Sequence, residues 1–198
     1  TGTIVQSAVD ETSYSPYVKL EVQPLPWIRV VGGLRADYFT FDVTNLCQTC
    51  PEQPAGSKNS GQVNPKANLI LGPWFNTEFF VNYGTGFHSN DARSTVVGGS
   101  SPLARAQGTE VGVRSKPWGP ERLELLATFW WLDMSSELVF VGDAGTTEAR
   151  GPTRRYGVEV GARGKIYGPF YVNGSFTWTH AQFKDGLAIP LAPDLTAF

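Results

Sequence analysis

Between Phe75 and Tyr83 the chain alternates residue by residue. Phe75, Thr77, Phe79, Val81 and Tyr83 fall on one face of an extended strand, and Asn76, Glu78, Phe80 and Asn82 fall on the other. A period of two belongs to a β-strand, whose successive side chains point to opposite faces. The run just before it, Asn64 to Leu71, begins polar and turns apolar, and Gly72-Pro73 breaks it. The spacing therefore predicts an antiparallel hairpin of two strands joined by a Gly-Pro turn. Past Tyr83, the stretch from Gly84 to Gly108 is long, polar and rich in Gly, Ser and Arg. One end of the hairpin is a tight turn and the other opens into a long loop, the asymmetry of transmembrane β-barrels.

The rest of the chain repeats this plan. From Ser15 to Gln23, Val18, Leu20 and Val22 oppose Lys19, Glu21 and Gln23, and Pro24-Leu25-Pro26 makes a short turn. From Trp27 to Asp42, Ile28, Val30, Leu34 and Tyr38 form an apolar face against Arg29, Arg35 and Asp37. Phe39 and Phe41 interrupt that polar face, and Gly32-Gly33 marks a bulge or bend. Val43 to Gly61 reads as a long loop. Gly108 to Ser115 sets Val111 and Val113 against Glu110 and Arg114. Arg122 to Asp133 is apolar on both faces, and Leu138 to Val141 reads as its extension beyond a break at Ser135-Ser136. Gly142 to Thr153 reads as a polar loop. Arg154 to Lys165 sets Tyr156, Val158, Val160 and Ala162 against Arg155, Glu159 and Arg163. After a turn at Tyr167 to Phe170, Tyr171 to Gln182 sets Val172, Phe176 and Trp178 against Asn173, Ser175, Thr177 and Thr179, and a further loop follows. That makes about eight strands in up-and-down order, with short Pro turns at one end and long polar loops at the other. A soluble sandwich has no reason to gather every long loop at one end. Buried in a soluble core, so many unpaired charges would each cost several kcal/mol.

Composition agrees. Only 17% of the 198 residues are charged, 13% are aromatic, and Gly (22) and Pro (14) are frequent, which suits many short strands. A net charge of −2 without a Lys/Arg run excludes a basic nucleic-acid surface. No stretch approaches the roughly 18 uncharged apolar residues of a membrane helix, which leaves a barrel open. The chain starts at Thr1, shows no signal peptide and is read as processed or cut.

Several longer stretches carry a resemblance. NPKANLILGPW, TEFFVNYGTGFHSNDAR and PLARAQGTEVGVRSK resemble the middle of the barrel of TonB-dependent outer-membrane receptors. ELVFVGDAGTTEARGPTRRYGVEV resembles the next extracellular loop and the strand after it. WIRVVGGLRADYFTFDV resembles a recurrent strand of that family, here at Gly33-Leu34-Arg35 and Asp37, and IPLAPDLTAF resembles the start of a later one. The resemblance implies that residues 1–198 are one all-β segment of a larger barrel of about 22 strands with a plugged lumen. The family's plug domain and energy-coupling box lie N-terminal to the barrel and are not found here. Phe198 does not close a terminal strand and is read as a cut. The implied function is capture and import of a scarce large solute at the cell surface of a Gram-negative bacterium. That solute is often a ferric siderophore, sometimes cobalamin or a glycan. The implied partners are outer-membrane lipid, the plug domain of the same receptor and, through the plug, a TonB-type energy-coupling protein. Arg35, Asp37, Glu110, Arg114, Glu159 and Arg163 would face the lumen and the plug. A passive porin-like channel and a soluble β-sandwich binding module are the alternatives.

Cys47 and Cys50 form Cys-x-x-Cys. No helix follows to make a redox motif, and no second pair of ligands makes a zinc site, so a disulfide stiffening an extracellular loop is the stronger reading. His88, Asn90, Asp91 and Arg93 stand at the mouth of the second long loop, where they could bind an anionic or metal-chelate solute. A loop anchored by its own Asn and Asp hydrogen bonds is the plainer alternative, and the stronger. His180, beside Trp178, reads as interfacial. Arg154 and Arg155 read either as rim cations that attract anionic solutes or lipid headgroups, or as a solvated strand end. Trp27, Trp74, Trp118 and Phe170 cluster at the short turns, as in an interfacial belt. Gly84-Thr85-Gly86 lacks the third glycine and helix of a dinucleotide loop. Glu121 and Glu124 offer no acid–base geometry. No catalytic constellation, metal site or cofactor is expected.

Overall fold

The computed structural model describes residues 6–47, 55–89, 92, 96, 102–119, 122–141, 146–167 and 170–184. Eleven strands lie along the chain: β1 (Ser7–Tyr14), β2 (Tyr17–Leu25), β3 (Ile28–Asn45), β4 (Gly56–Trp74), β5 (Thr77–Ser89), β6 (Leu103–Ser115), β7 (Leu123–Met134), β8 (Glu137–Val141), β9 (Thr146–Arg150), β10 (Thr153–Tyr167) and β11 (Phe170–Phe183). Nine of them form a single antiparallel sheet in the order β1-β3-β4-β5-β6-β7-β10-β11, with β2 also on β3. β1 and β2 lie end to end along β3: Ser7 to Tyr14 face Asn45 to Tyr38, and Tyr17 to Leu25 face Arg35 to Ile28. They are one edge strand interrupted at Ser15-Pro16. Pro16 has no N–H to give, but its carbonyl still accepts from the Ala36 N–H at 3.0 Å. The sheet is thus eight strands wide and meanders up and down throughout.

Three expectations are corrected. The hairpin turn is not at Gly72-Pro73, which sits within the end of β4 at a register shift between Leu71 and Trp74. It is at Phe75-Asn76, where both φ angles are positive (50° and 59°), the geometry of a two-residue type I′ connection. Trp74 and Thr77 flank the turn as a pair. Leu138 to Val141 do not extend β7. They belong to β8, which pairs as a separate two-stranded sheet with β9, a strand within the stretch expected to be a polar loop. Finally, the strands run further at the loop end than the alternation does. β4 begins at Gly56 and β5 continues to Ser89, so much of the two predicted loops is strand.

The register lines up the two faces of the sheet. One row crosses all eight strands as Val22, Val30, Leu69, Val81, Val111, Phe129, Val158 and Trp178. Every member is apolar, and every one is between 36% and 50% exposed. Two residues nearer the short turns, a second row reads Leu25, Ile28, Leu71, Phe79, Val113, Ala127, Val160 and Phe176, again without a polar member. The opposite face, one residue along, reads Glu21, Val31, Asn68, Asn82, Glu110, Trp130, Gly157 and Thr179. A sheet in water buries its apolar face on a core. Here the described apolar core is one small cluster near the loop ends of β3, β5 and β6. An apolar face that covers no core among the described residues suits a wall against lipid, with its polar face toward a lumen.

Candidate functional site: a polar wall and its mouth

The polar face is built of charges that the register sets side by side. Glu78 on β5 lies between Arg29 on β3 and Arg114 on β6, each 3.9 Å away, and the Arg114 guanidinium sits over the Phe80 ring at 5.9 Å. The Asn82 amide donates to Glu110 at 3.1 Å. Glu124 on β7 is shared by Lys116 and Arg163, both at 3.2 Å. Exposed pairs of this kind each contribute under about 1 kcal/mol. Their effect is to set charges of both signs side by side along the face.

Two aromatic rings on this face lean across onto a glycine of the next strand. Phe80 faces Gly112 and Trp130 faces Gly157 across their strand pairs. A β-carbon on Gly112 would collide with the Phe80 ring, and one on Gly157 would collide with the Trp178 carbonyl oxygen and come within 2.8 Å of Trp130 Cζ2. The glycines are what let the rings lean over.

Toward the loop end the pairing between β4 and β5 stops after Lys66 and Gly84. Side chains bridge the strands beyond it. The Asp37 carboxylate accepts from the Arg35 Nε at 2.7 Å and from the Asn64 amide at 2.7 Å. Gln62 donates to Asn64 Oδ1 at 2.8 Å and to the Gly86 carbonyl at 3.0 Å, and the Thr85 hydroxyl donates to Asn64 Oδ1 at 3.5 Å. Arg35 also donates to Ser15 on the edge strand at 3.3 Å. Asp37, Asn64 and Thr85 are each only 3% exposed, so this is a buried polar network with its partners in place.

Above the network sits the apolar cluster. Phe39 stacks on Phe41 (5.9 Å between centroids) and meets Phe87 edge-on (5.3 Å), and Val43, Ala92, Val96 and Leu103 pack around them. Phe41 is fully buried, which contributes about 1.5–3 kcal/mol. This explains why Phe39 and Phe41 break the polar alternation of their strand: they are where the β5–β6 connection, through Ala92 and Val96, folds back over β3.

Of the residues singled out from sequence, Arg35 and Asp37 are brought together, while Glu110, Arg114 and Arg163 each gain a different partner. Glu159 lies on the same face, opposite Thr128 and Thr177, with no ion pair among the described residues. His88 is exposed at the end of β5, and Asn90, Asp91 and Arg93 lie outside the described residues. Cys47 is disulfide-bonded, and Cys50, the only other cysteine, lies outside the described residues. Sequence reasoning did not single out Gln62, Asn64, Glu78 or Lys116. Glu78 was visible on the polar face of its strand; the others needed the register.

A family model described as TonB dependent receptor-like, beta-barrel matches residues 2–198. No curated protein sequence matches the chain. Among solved structures, the ferric-catecholate import receptor Fiu of E. coli K12 in its closed form is similar, with 19% identity, a TM-score of 0.71, and coverage of 92% of this chain and 29% of Fiu. So is the siderophore receptor PiuA of Acinetobacter baumannii, at 20% identity and a TM-score of 0.71, covering 91% and 27%. The copper transporter OprC matches at 17% identity and a TM-score of 0.74, covering 92% and 30%. At such identities the likeness establishes the fold. The chain spans about 30% of the length of these proteins.

Proposed function

We infer that this chain, which belongs to the family of TonB-dependent receptor-like β-barrels, is part of the wall of an outer-membrane receptor of a Gram-negative bacterium. In that receptor the apolar rows face lipid. The face carrying Arg35, Asp37, Glu110, Arg114, Glu159 and Arg163 lines a lumen closed by a plug domain. A TonB-type protein couples inner-membrane energy to that plug, and the solute imported is a ferric siderophore or another metal chelate. Fiu, PiuA and OprC, by their names, are a ferric-catecholate import receptor, a siderophore receptor and a copper transporter. The observation that carries the reading is the uninterrupted apolar row from Val22 to Trp178, exposed on all eight strands and backed by a polar row one residue along. The cluster of Phe39, Phe41, Phe87 and Leu103 holds the base of the β5–β6 connection at the mouth, so the solute is expected to be met there.

Deleting residues 90–101 from the full receptor, with Phe87 and Leu103 retained, is expected to abolish high-affinity uptake of labelled ferric chelate. Barrel assembly, read from heat-modifiable migration, should stay intact. Unchanged uptake would remove the connection from the binding site. Uptake by the intact receptor that persists after a protonophore collapses the inner-membrane gradient would replace the energised importer with a passive channel.

A further inference from the structure

Among the described residues, the outer face carries a cluster of charged side chains at the loop end of β7, β10 and β11. Above the apolar rows, the next row across β5, β6, β7, β10 and β11 reads Tyr83, Thr109, Trp131, Tyr156 and His180. These rings touch: Trp131 to Tyr156 at 6.0 Å, Tyr156 to Trp178 at 6.1 Å and Tyr156 to His180 at 5.1 Å. One row further stand Gln107, Asp133, Arg154 and Gln182. Arg154 binds both oxygens of Asp133, at 2.9 and 3.2 Å, and lies over the Trp131 ring at 4.5 Å. Lys184 reaches the same carboxylate from the end of β11 at 3.3 Å. Two cations share one anion, and both are about one-third exposed, while Asp133 is 13% exposed.

An aromatic row at the hydrocarbon boundary with cations just outside it matches the depth of lipid headgroups. The loop end of a barrel is its extracellular end. We propose that Arg154, lying over Trp131, and Lys184, both paired with Asp133, form a site for a phosphorylated headgroup of an outer-leaflet lipid. Two cations face one carboxylate, and the headgroup phosphate balances the positive charge left over, while the rings below pack on the first carbons of the lipid. The proposal rests on the membrane-wall reading above.

The test uses the full receptor, purified in detergent, with retained lipid counted by native mass spectrometry. Diphosphoryl lipid A is the probe, and phosphatidylethanolamine and inorganic phosphate are the controls. Lys184→Gln should weaken lipid A retention about fivefold and the Arg154→Gln/Lys184→Gln pair about twenty-fivefold, as expected for losing one or two cations near an anionic surface. Phosphatidylethanolamine should be unaffected. Asp133→Asn keeps the shape and removes the competing charge, so it should strengthen lipid A retention. A purely structural role for the cluster predicts the opposite: lower thermal stability in all three variants and lipid A retention unchanged. That outcome would overturn the site, and so would inorganic phosphate displacing lipid A at equal concentration. Quenching of tryptophan emission by brominated acyl chains, reduced in Trp178→Phe, reports separately on the wall. Its absence would sink the membrane reading itself.

Discussion

Two rows of this sheet lie one residue apart in every strand and share the same backbone geometry, yet they have almost nothing in common chemically. The outer row contains no polar atom beyond the Trp178 indole nitrogen. The inner row holds two glutamates, two asparagines and a threonine among its eight members. Strand propensity cannot account for this, since both rows use the same strands. The difference teaches that each residue is chosen by what its face meets. On the membrane-wall reading proposed above, the outer row would meet a medium that offers no hydrogen bonds, and the inner row water and charge.

The comparison can be broken most severely from the outer row. Val111→Arg, in the full receptor refolded into vesicles, is expected to cost about 2–4 kcal/mol of barrel stability in urea unfolding. Asn82→Arg, on the neighbouring strand but on the inner face, should stay within about 0.5 kcal/mol. Equal losses would mean that both faces meet the same medium. A smaller effect is expected where the inner face is itself buried. Asn64→Leu removes the amide that satisfies the Asp37 carboxylate, and the same unfolding measurement should show a loss of about 1–3 kcal/mol. The smallest belongs to the open part of the polar face. Glu78→Gln leaves Arg29 and Arg114 to water, and should change stability by less than about 1 kcal/mol, with the difference shrinking further in high salt.

The same contrast explains what the sequence disclosed. Where two faces meet different media the alternation is legible, and the strands through Val30, Val81, Val111, Val158 and Phe176 were all readable. Where a strand runs on past the apolar rows both of its faces turn polar, and the signal fades. That is why Gly56 to Gly61 reads as a loop and why Ser7 to Tyr14, with Asp10 and Glu11, gives no sign of a strand. Of the β8–β9 hairpin, Leu138 to Val141 reads as strand but as an extension of β7, and Thr146 to Arg150 shows no apolar alternation. Gly72-Pro73 drew the turn to itself because it is a strong breaker, but cross-strand pairing carried β4 on to Trp74. For the site, the faces were legible and the partners were not. Arg35 and Asp37 are two residues apart in one strand, so their proximity could be read directly. That Lys116 and Arg163 meet at Glu124, or that Asn64 meets Asp37, depends on register between strands distant in sequence.

The leaning rings of Phe80 and Trp130 have a geometric consequence. A ring standing on edge from a barrel wall would project several ångströms inward and act as a tooth. Pressed onto Gly112 and Gly157, the same rings add area with little relief. On this face a solute would meet rings leaning onto glycine beside charged side chains, the Arg114 guanidinium over Phe80 among them. Clearance in such a conduit is therefore set as much by two glycines, which contribute no side chain at all, as by the large residues that cover them.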